Sequence, residues 1–217
     1  TEIMVNPYSV PDSDGEWFEI RNTTPGALGL HQLTIRDNDG EDFTVDKIVQ
    51  VGPGEHFVFG RNWDPNKNGG AGVNYEWTGF TLSNTQDEIV LEFKGFEVDR
   101  VEWFEPIWSM PVGAAMSLPS AKQNAADNNI ADHWCPASET IAGPGTDLGS
   151  PGQANPDCAG CFPSCDGKDC GPNGCGGLCG QCGTGLVCKQ GSCIESPGDE
   201  EEEWTWGSTS GCQTRKE

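Results

Sequence analysis

Basic residues are scarce in this chain of 217 residues: 12 Lys and Arg stand against 34 Asp and Glu, a formal charge of −22. A surface this acidic repels phosphate, which argues against nucleic acid and anionic membrane as partners. Long apolar runs are missing as well, and none approaches the roughly 18 residues that a membrane-crossing helix needs. The first hundred residues show no sustained helical spacing, and no cysteine precedes Cys135. The chain opens on Thr1 with no start Met and no signal peptide, which suggests a processed or excised chain.

Catalytic signatures are also lacking. The three histidines are His31, His56 and His133, and none stands in a His-Glu-x-x-His spacing. There is no Gly-x-Ser-x-Gly elbow and no phosphate-binding Gly-Lys-Ser/Thr loop. His56 lies in an apolar, strand-like run and is expected to be structural or on the outer face; His133, just before Trp134-Cys135, is expected to pack. Carboxylates on so acidic a surface come close by chance, so no glycosidase-type pair is assigned. The expectation is a protein without enzymatic activity.

What is present points to strands. Gly (30) and Pro (15) favour turns and short strands over helices. Runs rich in β-branched and aromatic residues occupy 16–21, 33–36, 43–49, 56–59, 89–93 and 98–104. In 89–93, Ile89, Leu91 and Phe93 share one face and Val90 and Glu92 the other. Asp39-Gly40 and Lys94-Gly95 sit where tight hairpins would turn. Trp17, Phe57, Leu91 and Trp103 are candidate core residues, and a short helix is expected within 120–132, where Ala is dense.

Charge and cysteine divide the chain in three. Residues 1–158 carry 25 acids and 8 bases, 159–194 two of each, and 195–217 seven acids and two bases. The first part holds only Cys135 and Cys158. The second holds Cys161, Cys165, Cys170, Cys175, Cys179, Cys182, Cys188 and Cys193, and Cys212 stands alone in the third.

The order of motifs in the first part carries a resemblance. Glu2-Ile3-Met4-Val5-Asn6-Pro7 is followed by Gly15-Glu16-Trp17-Phe18-Glu19-Ile20-Arg21-Asn22, Leu33-Thr34-Ile35-Arg36-Asp37 and Val51-Gly52-Pro53-Gly54-Glu55-His56-Phe57-Val58. Then come Asn68-Gly69-Gly70, Phe80-Thr81-Leu82-Ser83-Asn84, Asp87-Glu88-Ile89-Val90-Leu91 and Val98-Asp99-Arg100-Val101. Residues 1–105 resemble a bacterial lamin-tail domain, which implies an immunoglobulin-like β-sandwich. Residues 106–158 resemble the tail that follows such domains in secreted bacterial proteins, through Gly113-Ala114-Ala115-Met116-Ser117-Leu118, Trp134-Cys135 and Asp147-Leu148-Gly149-Ser150-Pro151-Gly152-Gln153. The resemblance transfers no activity, because the fold serves as a scaffold beside many unrelated domains.

The cysteine block has almost no apolar bulk beyond Phe162, Leu178, Leu186 and Val187. Disulfides would supply its stability, on the order of 2–4 kcal/mol each. Cys158-x2-Cys161-x17-Cys179-x2-Cys182 also has the spacing of a four-cysteine zinc site, although that reading leaves five neighbouring cysteines as free thiols. Disulfides are the preferred reading, with Cys135 and Cys158 paired as the two left over in the first part. These bonds imply an oxidising compartment, secreted or at the cell surface. The run from Cys165 to Gly180 is similar to small repeats on myxobacterial-type surface proteins. Phe162 is the only aromatic between 159 and 194, so sugar binding by ring stacking is not expected there.

Three smaller signals remain. Asp37 and Asp39, and Asp64, Asn66 and Asn68, place oxygens at alternating positions before a Gly, as a calcium loop begins; neither loop has a Glu at its twelfth position, and solvated turns are the competing reading. Asn22-Thr23-Thr24 is a glycosylation sequon that matters only in a eukaryotic host. Residues 195–217 read as a disordered acidic tail containing Trp204 and Trp206. Gly211-Cys212 in it resembles the start of a sorting signal in myxobacterial-type surface proteins. The hydrophobic helix of such a signal does not follow, which leaves Cys212 as an anchoring residue, a free thiol or an intermolecular bridge.

The sequence therefore implies an all-β chain. It reads as an immunoglobulin-like sandwich with an extension (1–158), a disulfide-rich module (159–194) and a disordered acidic tail (195–217). It carries no cofactor. Its expected work is binding or display at the cell envelope, including adhesion, toward a protein or glycan ligand. The alternative is an accessory domain of a larger secreted hydrolase.

Overall fold

A computed structural model describes residues 1–104, 107–108, 110–158, 168–171, 179–189 and 191–195. In chain order the strands are β1 (Glu2–Met4), β2 (Trp17–Arg21), β3 (Leu28–Gly29), β4 (Leu33–Arg36), β5 (Asp42–Thr44), β6 (Gln50–Val51), β7 (His56–Gly60), β8 (Tyr75–Glu76), β9 (Gln86–Phe93), β10 (Phe96–Phe104), β11 (Met116–Ser117), β12 (Cys135–Pro136), β13 (Leu186–Lys189) and β14 (Ser192–Glu195). A single α-helical turn, α1 (Asp12–Gly15), separates β1 from β2. The fold is an immunoglobulin-like β-sandwich. One sheet has the order β12-β11-β1-β2-β7-β8 and the other β10-β9-β4-β5. Pairing within them is antiparallel except for the β7–β8 step.

Local chemistry sets the turns. Lys94 (φ 54°) and Gly95 (φ 81°) both take the left-handed region, as a two-residue hairpin between right-twisted strands demands, and Phe93 and Phe96 are paired across it. Asp37 closes the β4–β5 turn by accepting the amides of Gly40 (2.7 Å) and Glu41 (2.8 Å) on one carboxylate oxygen. The run expected at 43–49 splits, because β5 ends at Thr44 and β6 begins at Gln50 to pair with β3. The helix expected within 120–132 is three 3₁₀ turns, Ser120–Lys122, Asp127–Asn129 and Ala131–His133. Asn124 explains the break: its side chain accepts the amides of Ala126 and Asp127, competing with helical bonding.

The core between the sheets is aromatic. Phe18 stacks on Phe59 at 5.0 Å, Phe43 on Trp77 at 5.6 Å, and Trp108 meets Trp134 at 5.3 Å between centroids. Three buried indole N–H groups find carbonyls, Trp77 to Phe80, Trp103 to Ser83 and Trp134 to Asn128, whereas that of Trp108 finds none. Trp17, Phe57 and Trp103 are buried; Phe57 and Trp103 line this core with the partly exposed Leu91, and Trp17 lies on the other face of its sheet.

The six-stranded sheet is covered on its second face too. Met4, Trp17 and Val58 alternate with the inward Ile3, Phe18, Phe57 and Phe59, and form a separate cluster with Ala71, Ala115, Ala137 and Ile141. The chain beyond residue 105 builds most of this layer. β11 pairs with β1 and β12 with β11, and Leu118 and Trp134 enter the main core. The covering loops lie backbone against backbone: a Cβ on Gly143 would sit 2.5 Å from the Cα of Gly70.

A chain ending at residue 105 would therefore lose β11, β12 and the cover over Met4 and Trp17. It should show no cooperative thermal melt by circular dichroism, whereas residues 1–158 should fold and melt cooperatively. Equal cooperativity of the two fragments would refute the shared core.

Candidate functional site

Three places concentrate chemistry, and the first is an acidic pair inside the fold. Glu2 and Glu19 are directly opposite one another on β1 and β2, and both are buried. Glu2 accepts bonds from the Ser117 hydroxyl (2.6 Å) and the Ser150 amide (3.0 Å). Glu19 accepts from the Thr1 hydroxyl (2.7 Å) and the Gly152 amide (2.7 Å), and its Oε1 lies 2.6 Å from His56 Nδ1. Burial, helped by the charge of Glu19, pushes the Glu2 carboxyl up to about 7. Glu16 rises to about 7 and Asp87 to about 6, both chiefly through burial.

His56 is thus not a bare outer-face residue. Its ring is oriented by a buried carboxylate, which leaves Nε2 as the remaining ring nitrogen. It borders a polar depression with Arg21, Glu55, Ser120 and Gln153. Ser120, which carried no motif in the sequence, lies in the same depression and makes no hydrogen bond to His56. His133 does more than pack, since its Nδ1 lies 2.9 Å from the Asp127 carbonyl and 3.1 Å from the Asp127 carboxylate.

The second place is the cysteine region. The structure joins Cys135 to Cys158, Cys170 to Cys188 and Cys182 to Cys193. Cys179 is disulfide-bonded as well. The zinc spacing does not assemble, because Cys158 and Cys182 are bridged to cysteines outside that set. Cys170, Cys182 and Cys193 bring their sulfurs within 4.8 Å of one another, but through these bridges rather than as thiolates. Cys161, Cys165, Cys175 and Cys212, with the acidic tail, lie outside the described residues. Bonds of this kind persist in oxidising compartments. Among the described residues no helix is long and apolar enough to cross a membrane.

The calcium candidates are committed to the backbone. Asp37 closes its turn as described, and Asp64 accepts the Asn66 amide at 3.0 Å. Asn68 donates to the carbonyls of Asn62 and Ala71 and accepts the Gly70 amide. Asp39 is exposed and makes no contact in common with Asp64, Asn66 or Asn68. The sequon is blocked, because Asn22 is buried and its Nδ2 donates to the carbonyls of Gly26 and Val51.

The third place, which no sequence motif announced, is a cleft of about 400 Å³ between the two sheets. Ile3 and Phe18 wall it on one side and Leu33, Leu91 and Val101 on the other, with Trp134 at its base. Polar residues, among them Glu19, Arg21, Asp99 and Asn128, line it as well.

Two outcomes follow. Glu2 binds its proton more tightly folded than unfolded, so the folded state holds the extra proton between about pH 4.5 and 7. Stability should fall as pH rises through that window, and Glu2→Gln should flatten the slope in melting temperature between pH 5 and pH 8. An unchanged slope would show that Glu2 is ionised throughout. Reduction should unfold the β13–β14 module while leaving most of the β signal in circular dichroism. Loss of the Cys135–Cys158 bridge should lower sandwich stability by about 2–4 kcal/mol. Collapse of the whole β signal would show that the sandwich needs its bridges to fold.

No curated protein and no solved structure shows significant similarity to the chain. A family model, Lamin Tail Domain, matches residues 1–105, which hold β1 to β10. Over that segment, the whole of the four-stranded sheet and the inner strands of the other, the chain is similar to lamin tail domains.

Proposed function

We propose that this chain is a non-enzymatic binding and display module of a secreted or cell-surface bacterial protein, holding a ligand at the cell envelope. The observation that carries it is the set of bridges in a segment with so little core of its own. Three disulfides are joined among the described residues, two of them stapling the module around β13 and β14. That is how a small unit is made durable outside the cell. The chemistry-bearing groups of the sandwich support the same reading. Asp147, for example, spends its carboxylate on the amides of Tyr8 and Ser9, as Glu2 does on Ser117 and Ser150. The similarity of the cysteine run to surface-protein repeats supports an envelope location, and adhesion is the specific form of work it suggests.

The full chain, kept oxidised, should sediment with isolated bacterial envelopes or bind immobilised envelope glycans, and should turn over no ester, glycoside or peptide substrate. Turnover that His56→Ala abolishes would overturn the reading in favour of an enzyme. Failure to bind any envelope fraction would remove the envelope assignment.

A further inference from the structure

Four arginines lie among the described residues, and three of them face a glutamate: Arg36 with Glu92, Arg61 with Glu16 and Arg100 with Glu97. Arg21 makes no ion pair among the described residues, in a chain where 34 acids outnumber 12 bases. Its guanidinium is fixed all the same, by neutral acceptors. Nε donates to the Gly54 carbonyl at 3.3 Å and Nη1 to Gln123 Oε1 at 3.1 Å. Nη2 bonds none of the described residues. A Cβ on Gly54 would stand 3.8 Å from Nη2, which sets that nitrogen in the polar depression of about 520 Å³ that Gly54 lines.

His56 brings a second open atom to the same place. It stands directly opposite Arg21 on β7 and β2. Alternation with the outward Trp17 and Val58 puts both side chains on the outer face of the sheet, with Cβ atoms about 4.5–5.5 Å apart. Glu19 receives donors on both of its oxygens, from Thr1 and Gly152 as well as His56. His56 Nδ1 therefore carries the proton of the neutral ring, and Nε2 is left as an acceptor. The buried polar atoms without a partner lie elsewhere, on Asn84, Arg100, Trp108 and Asn128, so the unbonded Nη2 and Nε2 are both open to solvent. The acid in the lining, Glu55, is turned back on its own loop, where it accepts the Gly52 amide at 2.6 Å. Ser120 and Gln153 complete a lining with no large apolar side chain.

We propose that this depression binds a hydroxylated carboxylate, whose carboxylate accepts from Arg21 Nη2 and whose hydroxyl donates to His56 Nε2. A guanidinium without a counter-ion selects the anionic group. A bare oxyanion has no proton to give Nε2, so the hydroxyl is the second requirement. Uronic-acid residues of a glycan and small hydroxy acids share this chemistry. The volume, within the range of about 300–1,000 Å³ typical of ligand sites, favours the sugar acid. The inference rests on the reading of the chain as a binding module and names the ligand class of one site in it.

The test titrates the full oxidised chain calorimetrically with galacturonate, lactate, galactose and sulfate. Galacturonate or lactate should bind at least about tenfold more tightly than galactose and sulfate, and the tighter of the two identifies the source. Arg21→Gln should weaken that ligand at least about tenfold, the loss of a charge-assisted hydrogen bond, and leave galactose unaffected. His56→Ala should weaken it about tenfold. Ala154→Trp, at an exposed rim position, should abolish binding without lowering the melting temperature, and it decides the matter if His56→Ala does not fold. Sulfate or galactose binding as tightly as the hydroxy acids, no binding of either hydroxy acid, or affinity unchanged by Arg21→Gln would overturn the proposal. A chain that sediments with envelopes yet ignores both hydroxy acids loses this inference alone and keeps its envelope assignment.

Discussion

The six-stranded sheet is buried on both faces, and most of the structure follows from that constraint. Its inner side chains, Ile3, Phe18, Phe57 and Phe59, meet the four-stranded sheet across an aromatic core. Its outer side chains, Met4, Trp17 and Val58, have no second sheet to meet, so a layer of loops must cover them. Most of that layer comes from the chain after β10, with Ala71 and Val73 added from the loop before β8. Segments 110–118 and 134–155 lie across the sheet, extend it by two strands and supply Ala115, Ala137 and Ile141 to the outer cluster. The bridge from Cys135 to Cys158 then closes 23 residues of that layer on its own sheet edge. Closing a loop of that size removes disorder from the unfolded chain worth about 3 kcal/mol, and it does so where the cover would otherwise peel away.

Covering a face that carries Glu2 and Glu19 creates an electrostatic problem in a chain with few bases. The solution is donors rather than cations. Backbone amides of Ser150 and Gly152 and the hydroxyls of Ser117 and Thr1 point at the two carboxylates, and His56 brings an ionisable ring. The same device recurs where Asp147 gathers the amides of Tyr8 and Ser9. A buried carboxylate satisfied by neutral donors stays costly to ionise, because hydrogen bonds offset only part of its lost hydration. The acidic pair therefore ties β1 and β2 to the 150–155 loop, and the raised Glu2 carboxyl makes that junction sensitive to pH.

The cysteine module uses a different source of order. The β13–β14 hairpin pairs Cys188 with Cys193 across the strands, yet each cysteine bridges elsewhere, to Cys170 and Cys182. Among its described residues Leu186, Val187 and Ile194 are exposed, so covalent links supply order there in place of apolar burial. Sandwich and module thus meet the demands of an oxidising environment in opposite ways, one by an aromatic interior with a single bridge and the other by bridges with almost no interior.

Much of this was legible in the residues. Strands 33–36, 56–59 and 98–104 announced themselves by β-branched and aromatic content, the Lys94-Gly95 hairpin by its turn chemistry, and the need for disulfides by cysteine density against scant apolar bulk. These are local properties, set by backbone sterics and composition within a few residues. What sequence could not decide depends on partners far along the chain. Ser150 meets Glu2 across 148 positions and Asp147 meets Ser9 across 138, so nothing near Glu2 or Asp147 reveals that they are buried. The calcium-like loops looked like ligand sets because oxygen spacing is local, while the amides that occupy Asn68 and Asp64 are fixed only once the loops fold. The zinc spacing failed for the same reason: thiol pairing is chosen by distance in the folded chain, and Cys158 lies beside Cys135 rather than Cys182. Sequence by itself determined the β architecture, the acidic surface and the cross-linked module. Only tertiary structure decided which carboxylates lost their water, which cysteines met, and that a cleft would open between the sheets, because each is a question of what the folded chain places opposite a side chain.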